Sequence, residues 1–323
     1  MNNAEFLSGN SLARRLRLQQ LMIFVKVIEC GSVLAASREL AMTQSAISKS
    51  IQELENQLGA SIFTRGKKGM RLTEFGAVFE NHAKLMLAQL RYLAEDLNSW
   101  KSGATGQVIV GTLIAASANL LPRAIAQLRR ISPNVAVTVR VGSNATLYPM
   151  LSRGEIDIVL GILPEDASKF IREKHDRSLM KHVALYEEGM HVVVGNKSPQ
   201  ANQADISLLQ LHSLEWIIPT RESETYHAVQ NFFWDEGLSI PEKIVESVSI
   251  LTNLELIMES GMVSIMPKSV AQHFEKSGLI KILRFEKLNA VNNVGYTVRA
   301  EIEPSIAAQN FINALHEVTP LLN

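Results

Sequence analysis

The stretch TQSAISKSIQELENQL, residues 43–58, decides the fold of the N-terminal part of the chain. Its apolar residues recur at helical spacing and therefore fall on one side of an α-helix. The other side carries short polar and cationic groups near the positive N-terminal end, where Thr43 is a suitable N-cap. This side is suited to an anionic, hydrogen-bonding partner; an ordinary amphipathic surface helix is the alternative. The apolar side consists of Ile47, Ile51, Leu54 and Leu58, and the polar side of Ser45, Ser48, Lys49 and Gln52.

The residues on either side of this helix predict a winged helix-turn-helix. An apolar helical stripe runs from Leu16 to a break at Gly31, and Ser32 then caps a short helix over residues 33–40. Two short helices joined by a tight turn are the motif that enters a DNA major groove. Further on, two short strands flank the turn RGKKG at residues 65–69, which is typical of a basic wing.

The charges of the 323-residue chain are unevenly distributed, although its formal net charge is zero. Residues 1–73 contain 10 Lys/Arg and 5 Asp/Glu, so 10 − 5 gives this part a charge of about +5 and leaves about −5 on the remainder. A basic head on an acidic body indicates a polyanion-binding module joined to another kind of domain. The length also predicts more than one domain.

A long helix is predicted after Thr73, reaching to about Ser102. Apolar residues recur in it every seven positions, with others four residues later, which is the a/d pattern of a two-stranded coiled coil over about three heptads. A helix packed on its own domain is the alternative. The segment KSGATG at residues 101–106 is predicted to be a hinge. The predicted dimerisation residues are Phe79, Met86, Leu90, Leu93, Leu97 and Trp100.

Beyond Gly106, strand and helix patterns alternate in two blocks, which predicts an α/β domain with parallel sheets and two subdomains. We expect a ligand-binding cleft between the blocks, where strand carboxyl ends and helix N-termini converge. The predicted protein is therefore multidomain. Its parts are a flexible extension (1–15), a winged helix-turn-helix (16–73), a linker and dimerisation helix (74–105) and an α/β domain (106–323), divided into subdomain I (about 106–175 and 281–323) and subdomain II (about 176–280).

Several classes of protein are disfavoured by what the sequence lacks. A single cysteine, Cys30, excludes an internal disulfide and a thiolate zinc cluster. The N-terminus has no apolar run of signal-peptide length, and no apolar stretch approaches 18 residues, so we expect a soluble, cytoplasmic protein without membrane contact. Nucleophile-elbow, phosphate-loop and metalloprotease motifs are missing, and the eight histidines are scattered. We expect no enzyme, cofactor or metal. A solute-binding protein of a transport system and a sequence-independent DNA-binding protein remain as alternatives.

The N-terminal motifs together resemble one known family, the LysR-type transcriptional regulators. The resemblance covers the GS turn at residues 31–32, TQSAIS at 43–48, Leu54–Glu55, the wing FTR at 63–65 and LTEFG at 72–76. The rest of the chain, to about residue 320, resembles the effector domain of that family, which is similar to type 2 periplasmic binding proteins. Its recurring marks here are LLP at 120–122 and GEID at 154–157.

The resemblance implies a homotetramer, built as a dimer of coiled-coil dimers, that binds pseudo-palindromic promoter DNA, a small-molecule effector and RNA polymerase. The family commonly has proline at the position of Ser45 and arginine at that of Lys49. Because lysine cannot form the forked pair of bonds that arginine makes to guanine, we expect weaker or differently directed base readout here. The DNA-binding residues expected are Ser32, Thr43, Gln44, Ser45, Ser48, Lys49, Arg65, Lys67 and Lys68.

The expected effector site lies in loops that follow strands and precede helices. Many relatives have a hydroxyl residue near Ala115 and Ala116, so the nearest hydroxyls of this chain are expected to substitute. An arginine with hydroxyls at helix starts is suited to a carboxylate, which favours a small organic or aromatic acid; a solvated arginine with ordinary N-caps is the alternative. The expected effector-binding residues are Thr112, Ser117, Ser143, Asn144, Thr220, Arg221 and Ser223.

Overall fold

The computed structural model describes residues 7–66, 69–102, 105–113, 116, 119–164, 180–203, 206–221, 224–283, 292–300 and 302–322. The chain divides into two compact units. The first extends to Ala94 and includes Ser152–Glu155, and the second comprises Glu95–Leu151 and the residues from Ile156 onward. Each unit has its own hydrophobic core.

The first unit is a winged helix-turn-helix followed by the start of a long helix. Its elements are α1 (Gly9–Arg15), α2 (Leu18–Cys30), α3 (Val33–Glu39), α4 (Gln44–Leu58), β1 (Phe63–Gly66), β2 (Gly69–Leu72) and α5 (Glu74–Ser102). Ser32 caps α3 by accepting a hydrogen bond from the Ala35 N–H at 3.1 Å. Thr43 caps α4 in the same way, from the Ala46 N–H at 3.2 Å. These caps fix where the two helices of the motif begin, as the sequence predicts.

The predicted flexible extension is wrong for residues 9–15, because they form helix α1. Ser8 caps this helix by accepting a hydrogen bond from the Ser11 N–H at 3.2 Å. Leu12 and the C-cap residue Leu16 pack against the core of the first unit. Two leucines four residues apart are thus enough to dock a short helix that would be unstable alone.

The wing and α5 are joined by a close backbone contact. The Thr73 hydroxyl donates a hydrogen bond to the Ser61 carbonyl at 2.8 Å and accepts one from the Gly76 N–H at 2.9 Å. The Thr73 N–H donates to the Ile62 carbonyl at 3.1 Å. A Cβ atom on Gly76 would collide with that same carbonyl. The LTEFG motif therefore holds the wing against the first turn of the long helix.

Helix α5 begins inside the core of the first unit. Phe79 is 9% exposed, and its ring centroid lies 5.0 Å from that of Phe24. Ala83, one turn further, is fully buried in the same core. The prediction that Phe79 belongs to the dimer seam is therefore wrong, because the side chain packs within its own subunit.

A group of four charged side chains lies within the first unit, between α5 and the segment Ser152–Glu155. Lys84 Nζ lies 2.6 Å from Glu80 Oε1 and 3.0 Å from Glu155 Oε1. Arg153 Nε is 2.5 Å from the same Glu155 oxygen. Burial raises the pKa of Glu155, but the hydrogen bonds and charges of Arg153 and Lys84 outweigh it and lower that pKa below its ordinary value.

Among its described residues, the second unit contains two five-stranded mixed sheets. Its strands are β3 (Thr105–Thr112), β4 (Asn134–Val141), β5 (Ile158–Ile162), β6 (Met180–Glu188), β7 (Met190–Gly195), β8 (Trp216–Ile218), β9 (Ile244–Glu246), β10 (Val263–Pro267), β11 (Ile280–Leu283) and β12 (Asn292–Arg299). Its helices are α6 (Leu120–Ile131), α7 (Asn144–Ser152), α8 (Leu208–His212), α9 (Glu224–Trp234), α10 (Ile250–Ser260), α11 (Lys268–Lys276) and α12 (Ile306–Val318), with 3₁₀ turns at Pro199–Asn202 and Thr319–Leu321.

The sheets correct the predicted strand directions and subdomain limits. The first sheet has the order β4-β3-β5-β12-β6 and the second β11-β7-β10-β8-β9. The prediction of parallel strands is right for β3 with β4 and β5, and for β8 with β9 and β10. It is wrong for β7 and β12, whose pairings are antiparallel, and the antiparallel strands β6 and β11 were not predicted at all. Since β6 belongs to the first sheet and β11 to the second, the predicted limits of subdomain II near 176 and 280 are wrong at both ends.

The chain passes from the first sheet to the second at Gly189, next to a buried acid. Glu188, at the end of β6, is 2% exposed and accepts a hydrogen bond from the Ser269 N–H in the first turn of α11 at 3.0 Å. The Gly189 carbonyl accepts one from the Lys268 N–H at 2.8 Å. Burial and the neighbouring Glu188 raise the pKa of Tyr186, whose hydroxyl donates to that carboxylate. The crossover is thus fastened to the N-terminus of α11.

No single helix in the part of the chain that the structure describes is long and apolar enough to cross a membrane. Helices α2 and α3 meet that test only as a pair, which is bent by 117°.

Candidate DNA-binding and effector-binding sites

Helix α4 has one buried apolar face and one exposed polar face. Ile47 and Leu54 are fully buried, and Ile51 and Leu58 are 6% and 5% exposed. Gln44, Ser45, Ser48, Lys49 and Gln52 are exposed on the other side. The side chain of Lys49 is 79% exposed, and its Nζ lies 4.0 Å from Glu53 Oε1. A surface ion pair of this kind is weak, so the lysine is available to an anion.

The turn that leads into α4 is strained at one residue. Ala41 has a φ of 50°, in the left-handed region that side chains with a Cβ rarely adopt. After it, the Thr43 hydroxyl lies 3.0 Å from that of Ser45 and caps the helix. The turn therefore holds the exposed start of α4 in a defined direction.

The other predicted DNA-binding residues are described to different extents. Ser32 is partly buried, and its Oγ is engaged as the cap of α3. Arg65 lies in β1, within a strand pair whose register sets Phe63 opposite Leu72. Lys67 and Lys68, at the predicted wing tip, lie outside the described residues.

Ser143 and Asn144 form the beginning of α7, at the carboxyl end of β4. The Ser143 carbonyl accepts hydrogen bonds from the Thr146 and Leu147 N–H groups at 3.0 and 2.9 Å. Asn144 is 3% exposed, and neither its Nδ2 nor its Oδ1 atom has a hydrogen-bond partner among the described residues. Leaving a buried amide unpaired costs about 1–3 kcal/mol. Such a group marks a place where a ligand can supply the missing partners.

The loop after β3 offers fewer free hydroxyl groups for an effector than the sequence predicts. Thr112 is fully buried, and its hydroxyl donates to the Leu113 carbonyl at 3.0 Å. Ser117 lies outside the described residues. The hydroxyl of Thr112 is therefore already engaged, and the structure assigns no contact to Ser117.

Arg221 follows β8 and faces an acid of the next strand. Its Nε lies 3.7 Å from Glu246 Oε1, and the two side chains are 75% and 37% exposed. Thr220 is partly buried beside it, while Ser223 lies outside the described residues. The guanidinium is thus exposed to solvent but oriented by a carboxylate at the end of β9.

Polar groups at the start of α10 were missed by the sequence reasoning. The Ser247 N–H donates to the Ile218 carbonyl at 2.9 Å, so the carboxyl ends of β8 and β9 are joined. Ser249 caps α10, with its Oγ 3.4 Å from the Thr252 N and 2.9 Å from the Thr252 Oγ1. Asn253 has a buried Oδ1 without a partner in the described part of the chain. The sequence ESVS at residues 246–249, a strand end followed by a helix cap, was a signal for this site.

The distal half of α5 carries large apolar side chains that its own subunit leaves exposed. They follow the predicted seven-residue spacing after the buried Phe79. Leu90 is intermediate in exposure. Met86, Leu93, Leu97 and Trp100 are 39%, 54%, 56% and 91% exposed.

Comparison with known proteins gives matches along almost the whole chain. Residues 18–77 match the model for the bacterial regulatory helix-turn-helix protein of the lysR family, and residues 101–320 match the LysR substrate binding domain. The chain is similar to the HTH-type transcriptional regulator GbpR of Azospirillum brasilense, with 28% identity over 285 residues, covering 88% of this chain and 81% of GbpR. It is also similar to the HTH-type transcriptional regulator PcaQ of Agrobacterium fabrum, with 28% identity over 306 residues, covering 94% and 95%. Its fold is similar to full-length CbnR in the crystal structure with the target DNA, with a TM-score of 0.66 and 21% identity, covering 94% and 99%.

Proposed function

The chain belongs to the LysR family of bacterial transcriptional regulators, and on that premise we propose that α4 reads operator DNA under the control of a small organic acid bound by the second unit. Membership of this family makes the protein a DNA-binding regulator of transcription and not an enzyme. What we propose beyond family membership is which residues read DNA, which class of effector binds and how the subunits assemble.

The exposed polar face of α4 carries the proposal for DNA reading. Gln44, Ser45, Ser48 and Lys49 are exposed at the N-terminal part of a helix whose opposite face is buried. In a helix-turn-helix this part of the second helix enters the major groove. Serine and glutamine hydroxyl and amide groups hydrogen-bond base edges, and lysine contacts guanine or phosphate as a single charge. Ser32 and Thr43 lie at the starts of α3 and α4, where we propose that their backbone N–H groups and hydroxyls contact phosphates.

The basic wing extends this interface. We assign Arg65, Lys67 and Lys68 to the flanking phosphates or the adjacent minor groove, because three cations close together in a hairpin repel one another unless they are solvated or paired with an anion. The pairing of β1 with β2 supports this assignment, since it brings both ends of the RGKKG turn into one hairpin.

Asn144 carries the proposal for the effector. Its buried amide, which has no partner in the described part of the chain, lies at the start of α7, next to Ser143 and at the carboxyl end of a parallel strand. Ligands of α/β proteins bind at such strand ends, and a helix N-terminus favours an anion. In the second sheet, the residues that follow the carboxyl ends of the parallel strands β8 and β9 are Thr220, Arg221 and the segment Ser247–Ser249. We propose that a carboxylate displaces Glu246 as the partner of Arg221, while Asn144 bonds another polar group of the same ligand; Ser117 and Ser143 remain candidates for further contacts.

The exposed apolar side chains of α5 support assembly. An exposed Trp100 and two leucines at heptad spacing are suited to the seam of a two-helix coiled coil with a second copy. We propose a dimer through α5, and a tetramer built from two such dimers on pseudo-palindromic DNA. Binding of the acid then favours one arrangement of the tetramer, changes the spacing of the paired DNA-binding units and alters the bend of the promoter.

DNA recognition is tested with a fluorescent duplex selected from a random library by the full-length protein. The variant Ser48→Ala/Lys49→Ala is expected to bind this duplex about 100-fold or more weakly, because base contacts contribute about 1–3 kcal/mol each. Its unfolding temperature is expected to stay unchanged, since both side chains are exposed. Asn56→Ala, at an exposed position near the end of the same helix, is the matched control and is expected to bind like the wild type. Equal losses in both variants, or equal affinity of the wild type for an unrelated duplex, would contradict sequence-specific reading by α4.

Effector binding is tested by calorimetry with a panel of aliphatic and aromatic carboxylates. The variant Asn144→Leu keeps the number and branching of the side-chain heavy atoms and removes the buried polar amide, so it is expected to be about as stable as the wild type. It is expected to lose binding of the acids that the wild type binds and to lose their effect on promoter bending. Gln309→Leu, on the exposed side of α12, serves as the control. Unchanged affinity in Asn144→Leu would remove this residue from the site.

A further inference from the structure

Helix α1 is a structured addition in front of the segment that matches the family. The helix-turn-helix match begins at residue 18, whereas α1 spans Gly9–Arg15. Leu12 and Leu16 pack on the same core that holds Ile47 and Leu54 of α4. The addition is therefore attached to the body that carries the DNA-reading helix.

The exposed surface of this addition is cationic and lacks compensating acids. Arg14, Arg15 and Arg17 lie within four consecutive positions and are exposed. The sequence has no Asp or Glu between residues 6 and 28. Lys26, the next cation along the chain, is paired with Glu29 at 2.6 Å. No acidic side chain in the described part of the chain forms an ion pair with any of the three arginines.

The chemistry of this cluster is suited to phosphate. Three neighbouring guanidinium groups repel one another in the free protein, and a polyanion relieves that repulsion. The planar guanidinium fork matches phosphate oxygens. Arg14 and Arg15 are in the last turn of α1, and the backbone N–H of Arg17 is fixed to Gln20 Oε1 at 3.1 Å. The backbone that carries the three groups is thus ordered before any partner binds.

The size of the first unit limits how far the cluster lies from the bases. A compact unit of this size is about 30 Å across, which is less than one helical turn of DNA, about 34 Å. Phosphates on either side of the bases read by α4 are therefore at a reachable distance for side chains of the same compact unit.

We propose that Arg14, Arg15 and Arg17 form a phosphate-binding arm that contacts the DNA backbone beside the bases read by α4. This arm adds affinity without sequence preference. The inference rests on the proposed reading of DNA by α4.

The test is the salt dependence of binding to the selected duplex, measured by fluorescence anisotropy with the full-length protein. Each phosphate contact adds about 0.9 to the steepness of log Kobs against log salt concentration. The variant Arg14→Gln/Arg15→Gln/Arg17→Gln is expected to have a slope less steep by about 2–3 for each bound protomer, and about tenfold or more weaker binding at physiological salt. The loss is expected to be the same on an unrelated duplex, because phosphates carry no sequence information.

Two further variants distinguish phosphate contacts made by the three arginines from a general effect of the protein's net charge. Arg14→Lys/Arg15→Lys/Arg17→Lys keeps the charges and is expected to keep most of the slope. Arg130→Gln/Lys197→Gln/Lys276→Gln removes three exposed charges from the second unit and is expected to bind like the wild type. Hydrogen exchange of the α1 amides checks that α1 remains helical in each variant, as expected because Leu12 and Leu16 are unchanged.

The proposed arm would be refuted if the triple glutamine variant of the arginines had the wild-type slope. It would also be refuted if the control variant with three charges removed from the second unit changed the slope equally. If sedimentation showed altered self-association while the slope stayed constant, the arginines would instead contact a second copy. A wild-type protein that binds no duplex would refute the proposed function itself, which is a different result from the loss of the arm alone.

Discussion

The carboxylate of Glu55, in α4, holds the backbone of Ile62, seven residues away. Its Oε1 accepts hydrogen bonds from the Ile62 N–H at 2.9 Å and from the Phe63 N–H at 3.3 Å. Both donors lie at the entry to the wing, and Ile62 is fully buried. A side chain of α4 therefore fixes where the wing begins.

Replacing Glu55 by alanine is expected to loosen the wing. Two partly buried N–H groups lose their acceptor, which costs about 1–3 kcal/mol. In hydrogen exchange of the full-length protein, amides of the wing strands are expected to exchange about 10- to 100-fold faster. Glu53→Ala is the control, because the ion pair of Glu53 within the described residues is the weak, exposed 4.0 Å contact with Lys49. Equal exchange in the two variants would show that Glu55 does not hold the wing.

Glycine at position 41 is expected to stabilise the helix-turn-helix. Ala41 has a φ of 50°, and glycine adopts this conformation without the steric cost of a Cβ, a gain of about 1 kcal/mol. Ala77→Gly, at an exposed position inside α5, is expected to lower the free energy of unfolding by about 1 kcal/mol, because glycine is unfavourable inside a helix. Hydrogen exchange of the α4 amides measures both. Destabilisation by both glycines would mean that the turn is not strained at Ala41.

Substitutions in the exposed apolar seam of α5 and in the buried start of the same helix are expected to have different effects. Leu93→Glu/Leu97→Glu places charges on side chains that are 54% and 56% exposed, so each subunit is expected to stay folded while the dimer dissociates. Phe79→Ala is expected to cost about 3–5 kcal/mol in the first unit, because Phe79 packs in its core. Analytical ultracentrifugation and thermal unfolding distinguish the two effects. A leucine variant that remains dimeric would refute the seam.

Acid is expected to weaken the contribution of Glu155 to stability. Its pKa is lowered in the folded protein, so its stabilisation is fully present above the ordinary value of 4.5 and is lost as the pH falls through the folded pKa. The stability difference between the wild type and Glu155→Gln is therefore expected to shrink as the pH falls below about 4.5. In a Lys84→Met background the difference is expected to be smaller at neutral pH, because one of the two cations is missing. A difference that is constant with pH would show that Glu155 is not stabilised by these charges.

Local patterns in the sequence predicted helix α4 and the two strands of the wing because their residues interact over short distances along the chain. The helix-turn-helix depends on caps at Ser32 and Thr43 and on an apolar face with helical spacing, all of which are local. Strand β6 was missed because it is a partly exposed edge strand, and its partner β12 lies more than one hundred residues further along the chain. Nothing in its own residues encodes that pairing.

The role of Phe79 was mispredicted for a geometric reason. An ideal helix drifts by about 20° for each seven-residue repeat, so one repeat pattern can begin in a domain core and end on a free surface. Phe79 and Trp100 belong to the same pattern, yet they are 9% and 91% exposed. At the candidate effector site, the sequence indicated Asn144 by its place before a helix. Only the fold reveals that its amide is buried and has no partner among the described residues.

The close contact between Gly76 and the Ile62 carbonyl makes the wing and α5 act as a lever. The helix has 29 residues and is therefore about 43 Å long. The first turn of α5 lies directly against the wing backbone, so this contact resists a tilt of the helix axis relative to the wing. A tilt of about 5° would move the far end of a helix of this length by about 4 Å. That displacement is close to the 3.4 Å rise of one base pair. Any residue larger than glycine at position 76 would change the angle between the wing and α5 and, in the dimer proposed above, the number of base pairs that the two subunits span.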